Sequence, residues 1–247
     1  DGEWISLDAI KDAGSYFVDY PEYDKRAYPF PIDYNMDGLA DIMVGSSDGS
    51  FYYFQGEKMG DNYETAKPIK LTDSDGKNIS VQGYSAPVMT DINGDGIMDL
   101  ISGSSDGNIH WFSGNGDLTF ESQGVLIETG IQGQVMPAMG DINGDGITDL
   151  VVGSNEKTIK IYYGSKNNGS LSFKATANVK IEGLENIDGD WLCPYIIDID
   201  GDGINDIVIG TFHGYIGKFI GDGRNFKFGG YMEGKEKNYK GNKYLKF

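Results

Sequence analysis

Four times along the chain a short polar, aspartate-rich stretch gives way to a run of apolar, mostly β-branched residues that closes on a glycine. The runs read Asp41-Ile42-Met43-Val44-Gly45, Leu100-Ile101-Ser102-Gly103, Leu150-Val151-Val152-Gly153 and Ile207-Val208-Ile209-Gly210. Apolar at successive positions and too short for helices, they predict buried strands. A further run follows each: Phe51-Tyr52-Tyr53-Phe54, Ile109-His110-Trp111-Phe112, Ile159-Lys160-Ile161-Tyr162 and Ile216-Gly217-Lys218-Phe219, ending at Gly56, Gly114, Gly164 and Gly221. Less regular strands are expected near 64–71, 118–127, 171–181 and 226–232. Pro29, Pro87, Pro137 and Pro194 precede the polar stretches, where a strand can open because the missing N–H is needed least. Residues 29–56, 87–114, 137–164 and 194–221 therefore lie over one another without a gap. Ahead of them, Trp4-Ile5-Ser6-Leu7-Asp8-Ala9-Ile10 mostly alternates, as a half-buried strand requires.

The polar stretches carry the chemistry. Each places oxygen side chains at positions one, three, five and nine: Asp33, Asn35, Asp37 and Asp41; Asp91, Asn93, Asp95 and Asp99; Asp141, Asn143, Asp145 and Asp149; Asp198, Asp200, Asp202 and Asp206. A calcium ion takes about six to eight oxygens, so inward-turned side chains need a backbone carbonyl as well, here that of Leu39, Ile97, Ile147 or Ile204 at position seven. The glycine at position six permits the sharp turn. EF-hand and dockerin loops share this opening but need an acidic residue at position twelve, leading into a helix. Position twelve here is Val44, Ser102, Val152 or Ile209, so each loop joins two strands. About four structural Ca²⁺ ions are expected. Tyr34 and Met36 stand where the other loops carry Ile and Gly, which makes the first loop the weakest.

Composition changes the picture little. A length of 247 residues suffices for one sizeable core, and 37 glycines with 13% aromatic residues suit an all-β fold of many turns. The net charge is −18, and the loops supply a large share of the acidic groups. With no basic stripe for phosphates, nucleic acid is disfavoured as a partner; the basic tail 235–246 is short and mixed. The lone Cys193 excludes an intrachain disulfide. No apolar run approaches the ~18 residues of a membrane span. The chain opens without a signal-peptide pattern, as expected of a mature or excised segment of a larger secreted protein. Weak extracellular calcium sites suit that compartment.

Four antiparallel strands per repeat at this period predict the blade of a β-propeller. The pattern Asp-x-Asn-Gly-Asp-Gly-x-x-Asp-Leu, with a proline before it and a glycine after it, resembles the FG-GAP or VCBS repeats of integrin α-subunit propellers and of many secreted bacterial proteins. The resemblance covers about residues 27 to 234. It implies a single β-propeller domain with blades at 27–83, 84–133, 134–190 and 191–234, closing segments at 1–26 and 235–247, and a calcium loop between the first and second strands of each blade. Those propellers usually close with seven or eight blades. Either a small ring of four blades, or five with a degenerate one from both termini, or a fragment of a larger ring is expected; the strand at 4–10 would then complete the last blade.

In that frame the face opposite the calcium loops receives Arg26, Tyr84, Gln134 and Trp191 before each loop, and Asp48, Asp106, Glu156 and His213 after each second strand. Aromatic platforms, a cation and carboxylates suit a glycan, by stacking and by hydrogen bonds to hydroxyls. The expected function is an extracellular, calcium-stabilised binding module directed at carbohydrate or at a cell-surface protein in adhesion. The alternative is a polysaccharide lyase resembling the rhamnogalacturonan-lyase propellers, with His213 as base and Arg26 as the cation facing a uronate. With two histidines in the chain and no nucleophile or zinc motif, no catalytic residue is assigned.

Overall fold

A computed structural model describes residues 27–59, 62–176 and 179–232. The expected strand at 4–10, Arg26 and the basic tail lie outside them. The chain forms two compact units, Asp1–Glu128 and Thr129–Phe247, each holding two sheets of four or five strands, the first with a two-stranded hairpin besides.

In the first unit, β1 (Ala27–Ile32), β2 (Asp41–Ser46), β3 (Phe51–Phe54) and the short β6 (Ile69–Lys70) form an antiparallel sheet in that order, with β4 (Gly56–Met59) and β5 (Asn62–Thr65) as a separate hairpin. The outer strand expected over 64–71 is thus cut down to its last part. Pro68, without a donor N–H, stands between β5 and β6 and interrupts the ladder. The second sheet runs β7 (Ala86–Thr90), β8 (Asp99–Gly103), β9 (Asn108–Gly114), β10 (Phe120–Glu128). The core lies between the two sheets, where Met43, Phe51 and Tyr53 of the first meet Leu100, Phe112 and Phe120 of the second.

The second unit repeats the plan. One sheet is β11 (Val135–Gly140), β12 (Asp149–Ser154), β13 (Ile159–Asn167), β14 (Ser170–Ala175). The other is β16 (Cys193–Ile197), β17 (Asp206–Gly210), β18 (Ile216–Gly221), β19 (Phe226–Tyr231), with β15 (Ile181–Glu182) added parallel to β19. The strand expected over 171–181 therefore divides: its start stays in β14, while Ile181 joins the following sheet. Ile142, Val151 and Ile161 pack here against Ile207, Ile209 and Phe219. The sheets are blades of the β-propeller type in an all-β chain, whose one described helical turn is Leu184–Asn186.

In every blade the acidic loop joins the first strand to the second, as its spacing predicts. The proline strands β1, β7, β11 and β16 each stand at one end of their sheet, where one side needs no donor. Cys193 opens β16 and is exposed.

Candidate metal centres and binding turns

The ninth residue of each loop is the anchor. Asp41, Asp99 and Asp149 are 0% exposed and Asp206 is 1% exposed. One carboxylate oxygen accepts the backbone N–H of loop position two, from Tyr34 (3.0 Å), Ile92 (2.9 Å), Ile142 (3.0 Å) or Ile199 (3.0 Å). The other accepts the N–H of the glycine expected to end the third strand, Gly56 (2.8 Å), Gly114 (2.9 Å), Gly164 (2.7 Å) or Gly221 (2.7 Å); Gly114 and Gly221 do end β9 and β18, whereas Gly56 opens β4 and β13 runs on past Gly164 to Asn167. That glycine column, which spacing alone marked only as a strand end, has a packing reason. A Cβ on Gly164 would lie 2.0 Å from the Thr148 carbonyl oxygen, and one on Gly114 2.2 Å from that of Met98. Asp41 also accepts the Asn35 N–H at 3.4 Å and the Tyr53 hydroxyl at 2.7 Å.

The remaining side chains wrap their own loop. The first Asp accepts the N–H of Gly38, Gly96, Gly146 or Gly203 at 2.8–3.0 Å, and the fifth accepts that of Leu39, Ile97, Ile147 or Ile204 at 2.8 Å. In loops two to four the N–H of Gly94, Gly144 or Gly201 also reaches the first Asp, at 2.7 Å. Those glycines have φ of 79°, 77° and 81°, whereas the first loop forces Met36 to φ 58°. An L-residue with a Cβ is strained there.

The donor set fits a hard divalent cation. All side-chain ligand atoms are oxygen, and in Asp149 and Asp206 each carboxylate oxygen accepts one backbone N–H and keeps a second lone pair, whereas Asp41 Oδ2 is also taken by the Tyr53 hydroxyl. In the fourth loop Asp198, Asp200 and Asp206 bring carboxylate oxygens within 4.8 Å of one another. Burial pushes the Asp99 and Asp149 carboxyls above the usual range despite the backbone N–H groups on them, and neighbouring Asp95, Asp141 and Asp145 add to it. Bound positive charge would reverse that tendency. In the first three loops Asn Nδ2 donates to the fifth-position Asp, over 2.8 Å from Asn35, 2.8 Å from Asn93 and 3.1 Å from Asn143. Asp200 replaces that amide in the fourth, which concentrates negative charge there.

At the other end of each second strand lie the turns expected to face a ligand. Asp48 and Asp106 hold their own turns together, accepting the N–H of Ser50 or Asn108 at 2.9 Å and the hydroxyl of Ser46 or Ser104. Partial burial works against their charge, yet these bonds hold both carboxyls below the usual range, and His110 assists Asp106 across 2.8 Å. Glu156 is exposed, its N–H on Ser154 Oγ at 3.2 Å. Tyr84 is half-buried, with its N–H on Ser105 Oγ at 3.2 Å. Gln134 departs from expectation: it is 2% exposed and its amide donates to the Val135 carbonyl at 3.0 Å, so it is not a surface group. Arg26 lies outside the described residues.

Trp191 and His213 come together around a residue the spacing did not single out. The Phe212 ring lies 6.5 Å from that of Trp191 and 6.1 Å from that of His213, and Phe212 is 61% exposed. Its N–H donates to the Asp190 carbonyl at 3.1 Å, tying this turn to the loop that carries Trp191. Trp191 sits at φ 55°, whereas the other blades of known geometry put the left-handed residue one step earlier, on Gly83 (φ 64°) and Gly133 (φ 84°). The signal for Phe212 was its column, filled elsewhere by Ser47, Ser105 and Asn155.

These features define an all-β repeat protein of propeller-type blades, each carrying an Asp-rich loop. The FG-GAP-like repeat family model matches residues 91–152 and 141–209, a stretch that spans the second, third and fourth loops. Residues 91–209 therefore carry FG-GAP-like repeats, which often bind calcium and fit binding or adhesion modules generally. No curated protein matches the chain at a significant level. Among the described residues no helix is long and apolar enough to cross a membrane.

Proposed function

We propose that this protein is an extracellular binding module that takes a glycan on the aromatic turns of its fourth blade, with calcium in the four acidic loops holding the blades in shape. The observation that carries the reading is the Trp191–Phe212–His213 group. A half-buried Trp in a left-handed conformation, beside an exposed Phe, is a strained and solvent-facing arrangement of the kind that persists where a site is pre-organised. Sugar rings stack on such faces through their C–H edges, while His213 and the carboxylate of Asp190, in the same loops, offer partners to hydroxyls. When bound, calcium supplies the positive charge that offsets the acidic side chains. Asp198, Asp200, Asp202 and Asp206, and the equivalent residues of the other loops, would hold it.

A glycan array with saturating calcium tests the reading. Wild type should retain a glycan, and Phe212→Ala and Trp191→Ala should each weaken it at least tenfold, since an aromatic anchor commonly carries about 2 kcal/mol. Retention unchanged in both variants removes the site.

A further inference from the structure

The loops differ at position eight, between the backbone carbonyl of position seven and the anchor Asp. Ala40, Met98 and Thr148 stand there in the first three loops and Asn205 in the fourth. Asn205 reaches out of its own loop. Its Nδ2 donates over 2.6 Å to the backbone carbonyl of Asp141, the first residue of the third loop.

This bond is the polar end of a continuous contact inside the second unit. Ile142, the next residue of the third loop, is 2% exposed and shares a core with Ile207, which follows the anchor of the fourth, and with Ile196, which leads into it. A Cβ on Gly140 would fall 2.8 Å from the Ile196 side chain, so the strands entering the two loops also touch. In the first unit the matching residue is Met98, whose thioether has no proton to donate.

Both partners of the bond sit among ligand positions. Asp141 holds the N–H groups of Gly144 (2.7 Å) and Gly146 (2.8 Å). Asn205 lies between Ile204, whose N–H is on Asp202 at 2.8 Å, and Asp206, which holds the N–H groups of Ile199 and Gly221. The bond is satisfied only when both segments are in place, so ordering one loop around an ion removes part of the cost of ordering the other.

We infer that Asn205 is a positioning residue that couples calcium binding in the third loop to calcium binding in the fourth. The inference rests on the reading that these loops hold calcium. One hydrogen bond of ordinary net worth corresponds to a coupling of about fivefold, equal in both directions by linkage.

Calcium titration of the full chain, followed by NMR at the Gly146 and Gly203 amides, reads the two loops separately. Asp200→Ala, which cripples the fourth loop, should weaken the third about fivefold with Asn205 in place and less than about twofold in Asn205→Leu, which keeps the side-chain size and drops the amide. The charge lost in Asp200→Ala is the same in both backgrounds, so the difference reports the bond. Asp145→Ala should in turn weaken the fourth loop by a similar factor, a measurement that needs no change at Asn205 and stands if the leucine variant fails to fold. Equal weakening with and without the Asn205 amide, or a fourth loop indifferent to Asp145→Ala, overturns the inference and leaves the calcium reading intact. Amides that do not move with calcium in wild type overturn both.

Discussion

The two ends of a blade follow different rules. At the loop end, the ninth-position Asp accepts the same two backbone N–H groups in all four copies, over 2.7–3.0 Å, from residues fixed distances away in sequence. At the turn end, the equivalent column holds Asp48, Asp106, Glu156 and His213; Asp48 and Asp106 make the same two bonds to their own turns, while Glu156 is exposed and His213 stands beside Phe212. Repetition of geometry marks scaffold, and variation on a shared frame marks the place where a blade is free to specialise. The contrast predicts that damage at the loop end is read in stability and damage at the turn end in binding.

The largest effect should come from the anchor itself. Asp149→Ala strands the buried N–H groups of Ile142 and Gly164 and removes their charged acceptor, which should cost about 3–5 kcal/mol in urea unfolding. A cost under about 1 kcal/mol would mean the anchor is dispensable, and the two ends would no longer differ. Gly164→Ala reaches the same contact from the other side, since its Cβ would stand 2.0 Å from the Thr148 carbonyl oxygen. It should cost about 2–3 kcal/mol without removing a ligand oxygen.

Removing calcium probes the exposed half of each loop. With sites of ~10⁻⁴–10⁻³ M affinity, about 10 mM calcium stabilises by roughly 1–3 kcal/mol per filled site. Thermal unfolding with and without a chelator should show that difference, and an unchanged Tm would leave the loops held by their internal hydrogen bonds alone.

These cases show what the chain discloses before it folds. The first and second strands of each blade, the acidic loops and the Pro column depend on short-range spacing, and they stand where spacing put them; the third strands of the first and third blades do not end at their glycines, since β3 stops at Phe54 and β13 runs to Asn167. The reason for the glycines at 56, 114, 164 and 221 was not legible, because it is a contact with a carbonyl across the hairpin. Gln134 shares a column with Tyr84 and Trp191, and nothing in its type says that the Val135 carbonyl will satisfy its amide and allow burial. Phe212 stands one position before the column of Asp48, Asp106, Glu156 and His213, and its one signal is an aromatic ring in a column otherwise of Ser and Asn. The outer strands of the first and third blades depart from expectation for a different reason. Edge strands carry weak patterning, so Pro68 and the parallel pairing of Ile181 decide their ends.

At the turn end, Trp191→Ala should lower glycan retention about tenfold, equivalent to about 1.4 kcal/mol, while shifting unfolding free energy by less than about 1 kcal/mol. The small stability change is itself a test. Truncation loses some packing against Phe212 but places a smaller side chain at φ 55°. If stability falls by several kcal/mol instead, Trp191 is scaffold and the contrast between the ends fails in the fourth blade.

The smallest predicted effect separates strain from metal binding within the loop end. Met36 is 81% exposed and held at φ 58°, where the other loops have glycine. Replacing it with glycine gives up almost no buried surface. It relieves about 1–2 kcal/mol of left-handed strain and costs roughly 0.5–1 kcal/mol in added freedom of the unfolded chain. Met36→Gly should therefore stabilise by about 0.5–1 kcal/mol in the presence of chelator. If the same strain is what makes the first loop the weakest, calcium titration should also show its site tightening a few-fold. Stabilisation in chelator without any change in calcium affinity would mean that the loop is already preformed for the ion and that Met36 burdens folding alone.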